Sequence, residues 1–260
     1  MLYCIITHMT FLQTIILGII EGITEFLPIS STGHLMIADR LLHIGLSSFI
    51  TSFNIYIQLG AILAVVVLYF KKIFTSWLRV LHIIAAFLPT AIIGLLLFPF
   101  IKNILLENLF IVGLALIIGG VVIIIFEYFF AGKVKERKLS IHSSIWIGIF
   151  QAIAVIPGVS RSAATIIGGR AIGIKREDIV EFSFLLAIPT MLAATALDLI
   201  KSDFNFSQNE WLLILVGFVV AFLTALAAVK WFLSYIQKHG FAAFGWYRII
   251  VGLIILIFLL

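Results

Sequence analysis

Apolar segments of about 20 residues recur along this 260-residue chain, at residues 53–70, 81–98, 109–130, 179–200, 211–231 and 241–260. A helix needs about 20 apolar residues to cross a bilayer, whereas a strand of a transmembrane barrel needs roughly 9–11. The segments are too long for barrel strands and show no strand-like alternation, so helices that satisfy their own backbone are predicted. The chain is 63% hydrophobic and 11% charged, against about 45–50% and 25% in soluble domains. We therefore predict an all-α, polytopic membrane protein.

Two further apolar segments are interrupted by proline and polar residues. Residues 11–27 are predicted to form a helix that stops at Pro28. Ser30 or Ser31 can then cap a second short helix, because hydroxyls accept from the free amides of a first turn. Neither helix is long enough to cross the membrane comfortably, so the pair is predicted to be a re-entrant hairpin. Residues 146–162 repeat this pattern around a second proline.

The second half of the chain repeats the order of elements in the first half. An offset of 130 residues pairs Gly18 with Gly148, Glu21 with Gln151 and Ser30 with Ser160. Each half holds one hairpin and three crossings, an odd number, so the second half is predicted to be inverted relative to the first. The chain is interpreted as a single membrane domain of two repeats, residues 1–131 and 132–260.

Basic residues in the loops divide unequally between the two sides. Three lie on one side, Arg40, Lys102 and Lys201. Twelve lie on the other: Lys71, Lys72, Arg79, Lys133, Lys135, Arg137, Lys138, Arg170, Lys175, Arg176, Lys230 and Lys238. Positive-inside bias assigns the second group to the cytoplasm, which places both termini and the mouth of the first hairpin outside. The net charge of +5 therefore does not indicate nucleic-acid binding.

The start of the chain, residues 1–10, lacks the basic region of a secretory signal. The first apolar segment is therefore expected to stay in the mature protein.

Two glutamates lie inside the first interrupted segment. An ionisable group at the bilayer centre costs about 2.5–3.5 kcal/mol even on the insertion scale. Glu21 and Glu25 are four residues apart, so they share one helical face. Such a pair can hold a divalent cation, Mg²⁺ or Ca²⁺, or one member can keep a proton and act as acid or base. The alternative is that both pair with basic residues across the bundle.

Hydroxyls and an imidazole follow these glutamates. Capping explains one of Ser30, Ser31 and Thr32, but not all three together with His34. Ser30, Thr32 and Gly33 are predicted to bind phosphate, and Ser31 is predicted to be catalytic. His34 is three residues after Ser31 and is expected on the same side of the helix. This spacing lets His34 take a proton from Ser31 or attack directly. The alternative is that His34 is a polar packing residue.

The second break supplies positive charge. Gly158 lets the backbone approach a ligand, Ser160 and Ser162 offer hydroxyls, and the following helix directs free amides at the gap. The planar guanidinium of Arg161 suits phosphate oxygens. The alternative is that Arg161 only neutralises Glu21 or Glu25. These four residues are predicted to form the cationic half of a phosphate site.

The two breaks together predict hydrolysis or transfer at a lipid-linked phosphate. Phosphoryl transfer requires mainly positioning and charge neutralisation, and a substrate that reaches a site within the bilayer should carry a lipid tail. A transporter is the competing interpretation, because inverted repeats with broken helices bind anionic substrates without chemistry. A flippase for the lipid monophosphate would not need Ser31 beside His34 or the glutamate pair. A structural scaffold is disfavoured by the intramembrane polar groups.

The chain resembles the bacterial undecaprenyl diphosphate phosphatases of the bacitracin-resistance type. The resemblance rests on residues 21–34 (EGITEFLPISSTGH) and 157–162 (PGVSRS), with support from residues 57–65, 181–189 and 247–249. It implies removal of the terminal phosphate of undecaprenyl diphosphate at an outward-facing site in the inner membrane. The product, undecaprenyl phosphate, would be recycled for peptidoglycan and other envelope polymers, and abundance of the protein would give bacitracin tolerance.

The resemblance also assigns roles to single residues. It maps the acidic motif of the family onto Glu21 and Glu25, the serine and histidine onto Ser31 and His34, and the phosphate-binding arginine onto Arg161. The implied partners are the lipid substrate and membrane lipids, and the sequence leaves a homodimer open. Two departures from the family pattern are Asn54, in place of an acidic residue, and Ala163, in place of glycine.

Overall fold

The computed structural model describes residues 9–45, 47–74, 76–100, 108–130, 136–201 and 206–259. Within these ranges the chain forms ten α-helices, with an isolated β-bridge between Arg137 and Ile174. The first repeat contributes α1 (Phe11–Thr24), α2 (Ser31–Leu41), α3 (Ser48–Phe74), α4 (Trp77–Phe100) and α5 (Leu109–Phe130). The second contributes α6 (Ile141–Ala152), α7 (Arg161–Ala171), α8 (Arg176–Lys201), α9 (Gln208–Lys238) and α10 (Ala242–Ile254), with a π-helical turn at Ile255–Leu259.

Six of these helices are long and apolar enough to cross a bilayer: α3, α4, α5, α8, α9 and α10 with its π turn. The helices α1 and α6 are also apolar, but they hold only 14 and 12 residues. At about 1.5 Å per residue they are shorter than the bilayer core of roughly 30 Å. The prediction of an all-α, polytopic membrane protein with two short broken segments is confirmed.

Several helices extend beyond the predicted apolar segments, because polar caps rather than hydropathy determine their ends. The helix α9 begins three residues before Trp211, where Ser207 and Glu210 form a reciprocal capping box. The helix α1 instead ends at Thr24, earlier than predicted. A proline disfavours helical backbone in the residue before it, so the turn at residues 25–29 starts ahead of Pro28.

The contacts between helices repeat when the two halves are exchanged. The helix α1 packs on α9 and α6 packs on α4, so each short helix lies against the fourth helix of the other half. Equivalent glycines permit both contacts. A Cβ on Gly18 would lie 2.9 Å from the carbonyl oxygen of Gly217, and a Cβ on Gly148 would lie 2.8 Å from the carbonyl carbon of Ala86. The predicted inversion of the halves across the membrane stays a prediction.

Several basic residues that were predicted to lie on the same side of the membrane form ion pairs with glutamates. Glu181 at the start of α8 contacts Lys72 at 2.7 Å and Arg79 at 3.7 Å. Arg176 contacts Glu127 of α5 at 2.7 Å. These pairs connect the ends of α3, α5 and the starts of α4, α8. Other residues used in the charge comparison, Lys102, Lys133 and Lys135, lie outside the described residues, as does the side chain of Lys201.

The guanidinium of Arg248 on α10 joins the two chain breaks. It is fully buried and donates to the carbonyl oxygens of Pro28 at 3.1 Å, Gly158 at 2.8 Å and Val159 at 2.9 Å. It also donates to two carbonyl oxygens of α5, at 3.2 and 3.4 Å. In the part of the chain that the structure describes, no carboxylate forms an ion pair with it. The cation is therefore solvated by carbonyl oxygens that the interrupted helices leave without partners.

We expect Arg248→Met to lower the stability of the protein by about 3–5 kcal/mol, since several buried carbonyls lose their donor. Thermal unfolding in detergent measures this effect. Arg40→Met at the exposed end of α2 is the matched control and should leave the unfolding midpoint almost unchanged. Equal midpoints for the two variants would contradict the assigned role of Arg248.

Candidate active site

Two serines with the same unusual backbone conformation begin α2 and α7. Ser30 has φ 73° and ψ 93°, and Ser160 has φ 73° and ψ 115°. Each hydroxyl accepts from the amide three residues later, Gly33 at 3.4 Å and Ala163 at 3.2 Å. The two preceding amides of each helix have no acceptor within the helix. Both helix starts can therefore bind an anion.

A cavity of about 830 Å³ lies beside both helix starts. Seven predicted site residues line it: Glu25, Ser30, Ser31, Thr32, Gly158, Ser160 and Arg161. Much of the remaining wall is apolar and comes from α4 and α8, including Phe87, Leu95, Met191 and Leu197. The two interrupted segments are thus brought to one site, as predicted, and that site has a polar end and an apolar side.

Glu25 connects the two halves of the site. Its Oε2 accepts a hydrogen bond from the Ser31 hydroxyl at 2.5 Å. Its Oε1 accepts from Nη2 of Arg161 at 2.9 Å. Glu25 and Arg161 are only 3% and 10% exposed, so the ion pair is shielded from water. A hydroxyl, a carboxylate and a guanidinium are therefore aligned in the wall of the cavity.

Contacts on two sides hold Arg161 in place. Its Nη1 donates to the carbonyl oxygen of Ser183 at 2.8 Å, and its Cζ lies 5.7 Å from the centroid of the Phe26 ring. Its Nε has no hydrogen-bond partner. Arg161 neutralises Glu25, as the alternative interpretation proposed, yet it also lines the cavity and keeps one donor free.

Glu21 lies one helical turn before Glu25 and outside the cavity wall. It is fully buried, and neither carboxylate oxygen has a hydrogen-bond partner. A buried, unpartnered carboxylate is costly unless it is neutral or binds a cation. Two adjacent carboxylates suit a hard cation such as Mg²⁺ or Ca²⁺. Among the described residues no third His, Cys, Asp or Glu joins them.

His34 is not paired with Ser31. Its Nδ1 lies 2.7 Å from the carbonyl oxygen of Ser30, and its Nε2 lies 2.7 Å from the hydroxyl of Tyr247. The proton transfer from Ser31 to His34 that the spacing suggested is therefore not prepared in this structure. Glu25 at the preceding turn accepts the hydrogen bond of the Ser31 hydroxyl instead.

Two other predicted phosphate-binding residues lie outside the cavity wall. The hydroxyl of Ser162 is buried and donates to the carbonyl oxygen of Phe26 at 2.9 Å, so it joins α7 to the first break. At Gly33 a Cβ would lie 3.1 Å from Val112, which shows that α2 is packed closely on α5 there. Both residues contribute to the assembly of the site, and neither lines the cavity.

Sequence reasoning assigned no role to a second polar group in the cavity. Gln151 donates to the hydroxyls of Thr90 at 2.9 Å and Thr190 at 3.2 Å, and all three residues line the cavity. Both hydroxyls also contact backbone carbonyl oxygens, of Gly148 and Leu186. The signal was present, because a glutamine in an apolar segment is as costly as the other buried polar groups.

Comparison with known proteins identifies the family of this chain. The sequence profile described as "Bacitracin resistance protein BacA" matches residues 14–254. This chain belongs to that family. It is 50% identical to a protein of Aquifex aeolicus named undecaprenyl-diphosphatase, over 97% of this chain and all of the relative. It is 47% identical to a protein of that name from Bdellovibrio bacteriovorus, over 96% of this chain and 97% of the relative.

Membership of the BacA family covers nearly the whole described structure, including both interrupted segments and α10. A relative of that name from Sulfurihydrogenibium is 46% identical over 95% of this chain and 98% of its own length. The matches therefore span both halves of the site and are not restricted to the membrane helices.

We expect Arg161→Met to destabilise this BacA family member by about 3–5 kcal/mol, because it leaves the buried Glu25 carboxylate without its counter-charge. The double variant Glu25→Gln with Arg161→Met removes both charges and should unfold at a higher temperature than the single variant. Thermal unfolding in detergent compares them. A double variant less stable than Arg161→Met would contradict the assigned ion pair.

Proposed function

We propose that this protein hydrolyses undecaprenyl diphosphate to undecaprenyl phosphate and inorganic phosphate. The observation that carries the proposal is the alignment of Ser31, Glu25 and Arg161 in the wall of a cavity whose opposite side is apolar. The names of the relatives describe the same activity. Recycling of the lipid carrier for envelope synthesis, with bacitracin tolerance, follows from this activity and from the family.

The shape of the cavity favours a lipid diphosphate over a soluble one. Its polar end contains the two helix starts and Arg161, whereas α4 and α8 present Phe87, Ala91, Leu95 and Leu197. Burial of apolar surface stabilises a prenyl chain by about 25 cal/mol per Å². A phosphate-only substrate would not use this side of the cavity.

The polar end is suited to a diphosphate. Free amides at the starts of α2 and α7 direct partial positive charge at the cavity. Arg161 adds a full positive charge at the wall of the cavity. These donors can hold the terminal phosphate and stabilise charge as the bridging bond breaks.

We propose that Ser31 attacks the terminal phosphorus with Glu25 as its base. The Ser31 proton passes to Glu25, a bond forms between Oγ and phosphorus, and the bridging oxygen leaves on undecaprenyl phosphate. Water then cleaves the phosphoserine and releases inorganic phosphate. Arg161 orients the Glu25 carboxylate, and Glu25 in turn orients the Ser31 hydroxyl. A nucleophile, a base and a group that orients the base are the arrangement expected of an activated nucleophile.

Direct attack by water uses the same base. In that version Glu25 takes the proton of a water molecule, and Ser31 helps to position the phosphate. Attack by His34 has less support, because both ring nitrogens are engaged by Ser30 and Tyr247.

Glu21 and Glu25 would hold a divalent cation, Mg²⁺ or Ca²⁺, which would supply charge neutralisation for the diphosphate. The unpartnered oxygens of the buried Glu21 support this assignment.

The alternative function is a transporter or flippase for a polyprenyl phosphate. The matching contacts of the two halves favour it, since repeated halves with broken helices are a carrier architecture. The Ser31 hydroxyl bonded to a carboxylate favours the enzyme, because transport needs no activated hydroxyl.

The protein is a multi-pass membrane protein, and we place it in the bacterial inner membrane. The excess of basic residues on one side supports an outward-facing site and outward termini. The described site residues all come from one chain, and a homodimer stays a prediction.

Purified protein in detergent is expected to release phosphate from undecaprenyl diphosphate when Mg²⁺ or Ca²⁺ is supplied, and to lose this activity with EDTA. We expect Glu25→Gln and Ser31→Ala to lower kcat by about 10²-fold or more. Arg161→Ala should weaken both binding and turnover, by about 10²–10³-fold in kcat/KM. Colorimetric phosphate release measures all three.

Ser234→Ala on the exposed face of α9 is the matched serine control and should retain full activity. Transport cannot occur in detergent, so absence of phosphate release by the wild type would refute the enzyme. A Ser31→Ala variant within a few-fold of the wild type would exclude the covalent route and leave water as the nucleophile.

Gly94 on α4 offers a test of the apolar side. It lines the cavity, and a Cβ built on it would meet no atom within 4 Å. We expect Gly94→Phe to raise KM about tenfold for undecaprenyl diphosphate, as about 1.4 kcal/mol of tail binding is lost, but to change KM little for a short-chain prenyl diphosphate. Gly94→Ala is the control and should resemble the wild type. An equal increase in KM for both substrates would show that the prenyl chain does not bind along this side of the cavity.

A further inference from the structure

Both ring nitrogens of His34 are within hydrogen-bond distance of another residue. Its Nδ1 lies 2.7 Å from the Ser30 carbonyl oxygen, and its Nε2 lies 2.7 Å from the Tyr247 hydroxyl. The two rings are nearly parallel, with 3° between their planes and 5.5 Å between their centroids. A chain of contacts thus runs from α10 through His34 to the cap of α2.

The hydrogen bonds define which nitrogen carries the proton. A backbone carbonyl oxygen can only accept, so Nδ1 of His34 is the donor to Ser30. Nε2 of the neutral ring then accepts from the Tyr247 hydroxyl. Neither nitrogen has a free lone pair or proton for Ser31, whose hydroxyl donates to Glu25 instead.

The second half of the chain shows that the turn before the helix does not require a histidine. Ala164 occupies the position equivalent to His34 at an offset of 130 residues. Ser160 nevertheless has the same φ as Ser30, and its carbonyl oxygen accepts from the Ala164 amide at 3.0 Å. The turn therefore forms without a histidine. What His34 adds is the connection of the first turn to α10.

The starts of α2 and α7 differ in how precisely the backbone must be positioned. The start of α2 carries Ser31, a short side chain whose hydroxyl position follows the backbone closely. The start of α7 carries Arg161 at the equivalent position, a long side chain that can adjust its reach. A hydrogen-bonded link such as that from Tyr247 through His34 to Ser30 is therefore useful only at the turn that positions Ser31.

We propose that Tyr247 and His34 are positioning residues that hold the Ser30–Ser31 turn, and that His34 does not act as the base for Ser31. This inference rests on the proposed phosphatase activity for its kinetic test. Tyr247 is 42% exposed and lies outside the cavity wall, so it acts through His34 and not through the substrate.

The decisive comparison is between two substitutions of His34. In His34→Gln the side-chain amide can donate to Ser30 and its oxygen can accept from Tyr247, but it can neither take a proton from Ser31 nor attack phosphorus. We expect His34→Gln to keep kcat within about fivefold of the wild type, and His34→Ala to lose clearly more, at unchanged KM. Equal losses for Gln and Ala would overturn the proposal.

A double-mutant cycle tests Tyr247. We expect Tyr247→Phe to lower kcat about five- to tenfold, the value of one hydrogen bond, with KM within about twofold. In the His34→Ala background the same change should cost nothing further, since the link is already absent. An equal loss in both backgrounds would show that Tyr247 does not act through His34.

Tyr235→Phe is the matched control, because Tyr235 stacks on His239 at 4.6 Å at the end of α9, away from the site. It should leave kcat unchanged. A spectroscopic readout is independent of activity: with ¹⁵N-histidine, the Nε2 resonance of His34 should shift in Tyr247→Phe and not in Tyr235→Phe. Absence of that shift would refute the link, whereas a wild type without phosphatase activity would refute only the proposed function.

Discussion

A helix that stops inside a bilayer leaves carbonyl groups that no water can reach, and this structure satisfies them with one guanidinium. Arg248 donates to Pro28 at the first break and to Gly158 and Val159 at the second, while it also contacts α5. Without such a donor each unsatisfied group would cost several kcal/mol in lipid. The two breaks are therefore adjacent because the same buried cation solvates both.

The two buried arginines of the site have separate tasks. Arg248 contacts only backbone oxygens and sits behind the breaks, whereas Arg161 contacts Glu25 and faces the cavity. Carbonyl dipoles disperse the charge of the first without neutralising it. The carboxylate of Glu25 compensates the second until an anionic phosphate can compete for it. Structural and phosphate-binding positive charge are thus supplied by different residues.

The two halves of the chain carry different side chains on similar turns at the starts of α2 and α7. Ser31 and Arg161 are the first residues of equivalent helices, and both contact the Glu25 carboxylate, one at each oxygen. Glu21 corresponds to Gln151, and His34 to Ala164. Two copies of one turn therefore provide a candidate nucleophile from one copy and a cation from the other. Asymmetric chemistry arises here from symmetric backbone geometry.

The amino-acid sequence alone predicts the helical class, six helices long enough to cross a membrane, the two breaks and seven of the residues that line the cavity. Hydropathy and the cost of burying charge depend on the local sequence, so they can be evaluated without knowing which segments pack together. Tertiary structure decided which groups meet. Spacing placed His34 on the face of Ser31, but the choice between His34 and Glu25 as acceptor depended on the turn at residues 25–29 and on Tyr247, which is 213 residues away in the chain. The role of Arg248 was equally hidden, because its partners are backbone carbonyls from three distant segments, and such contacts leave no pattern in the sequence.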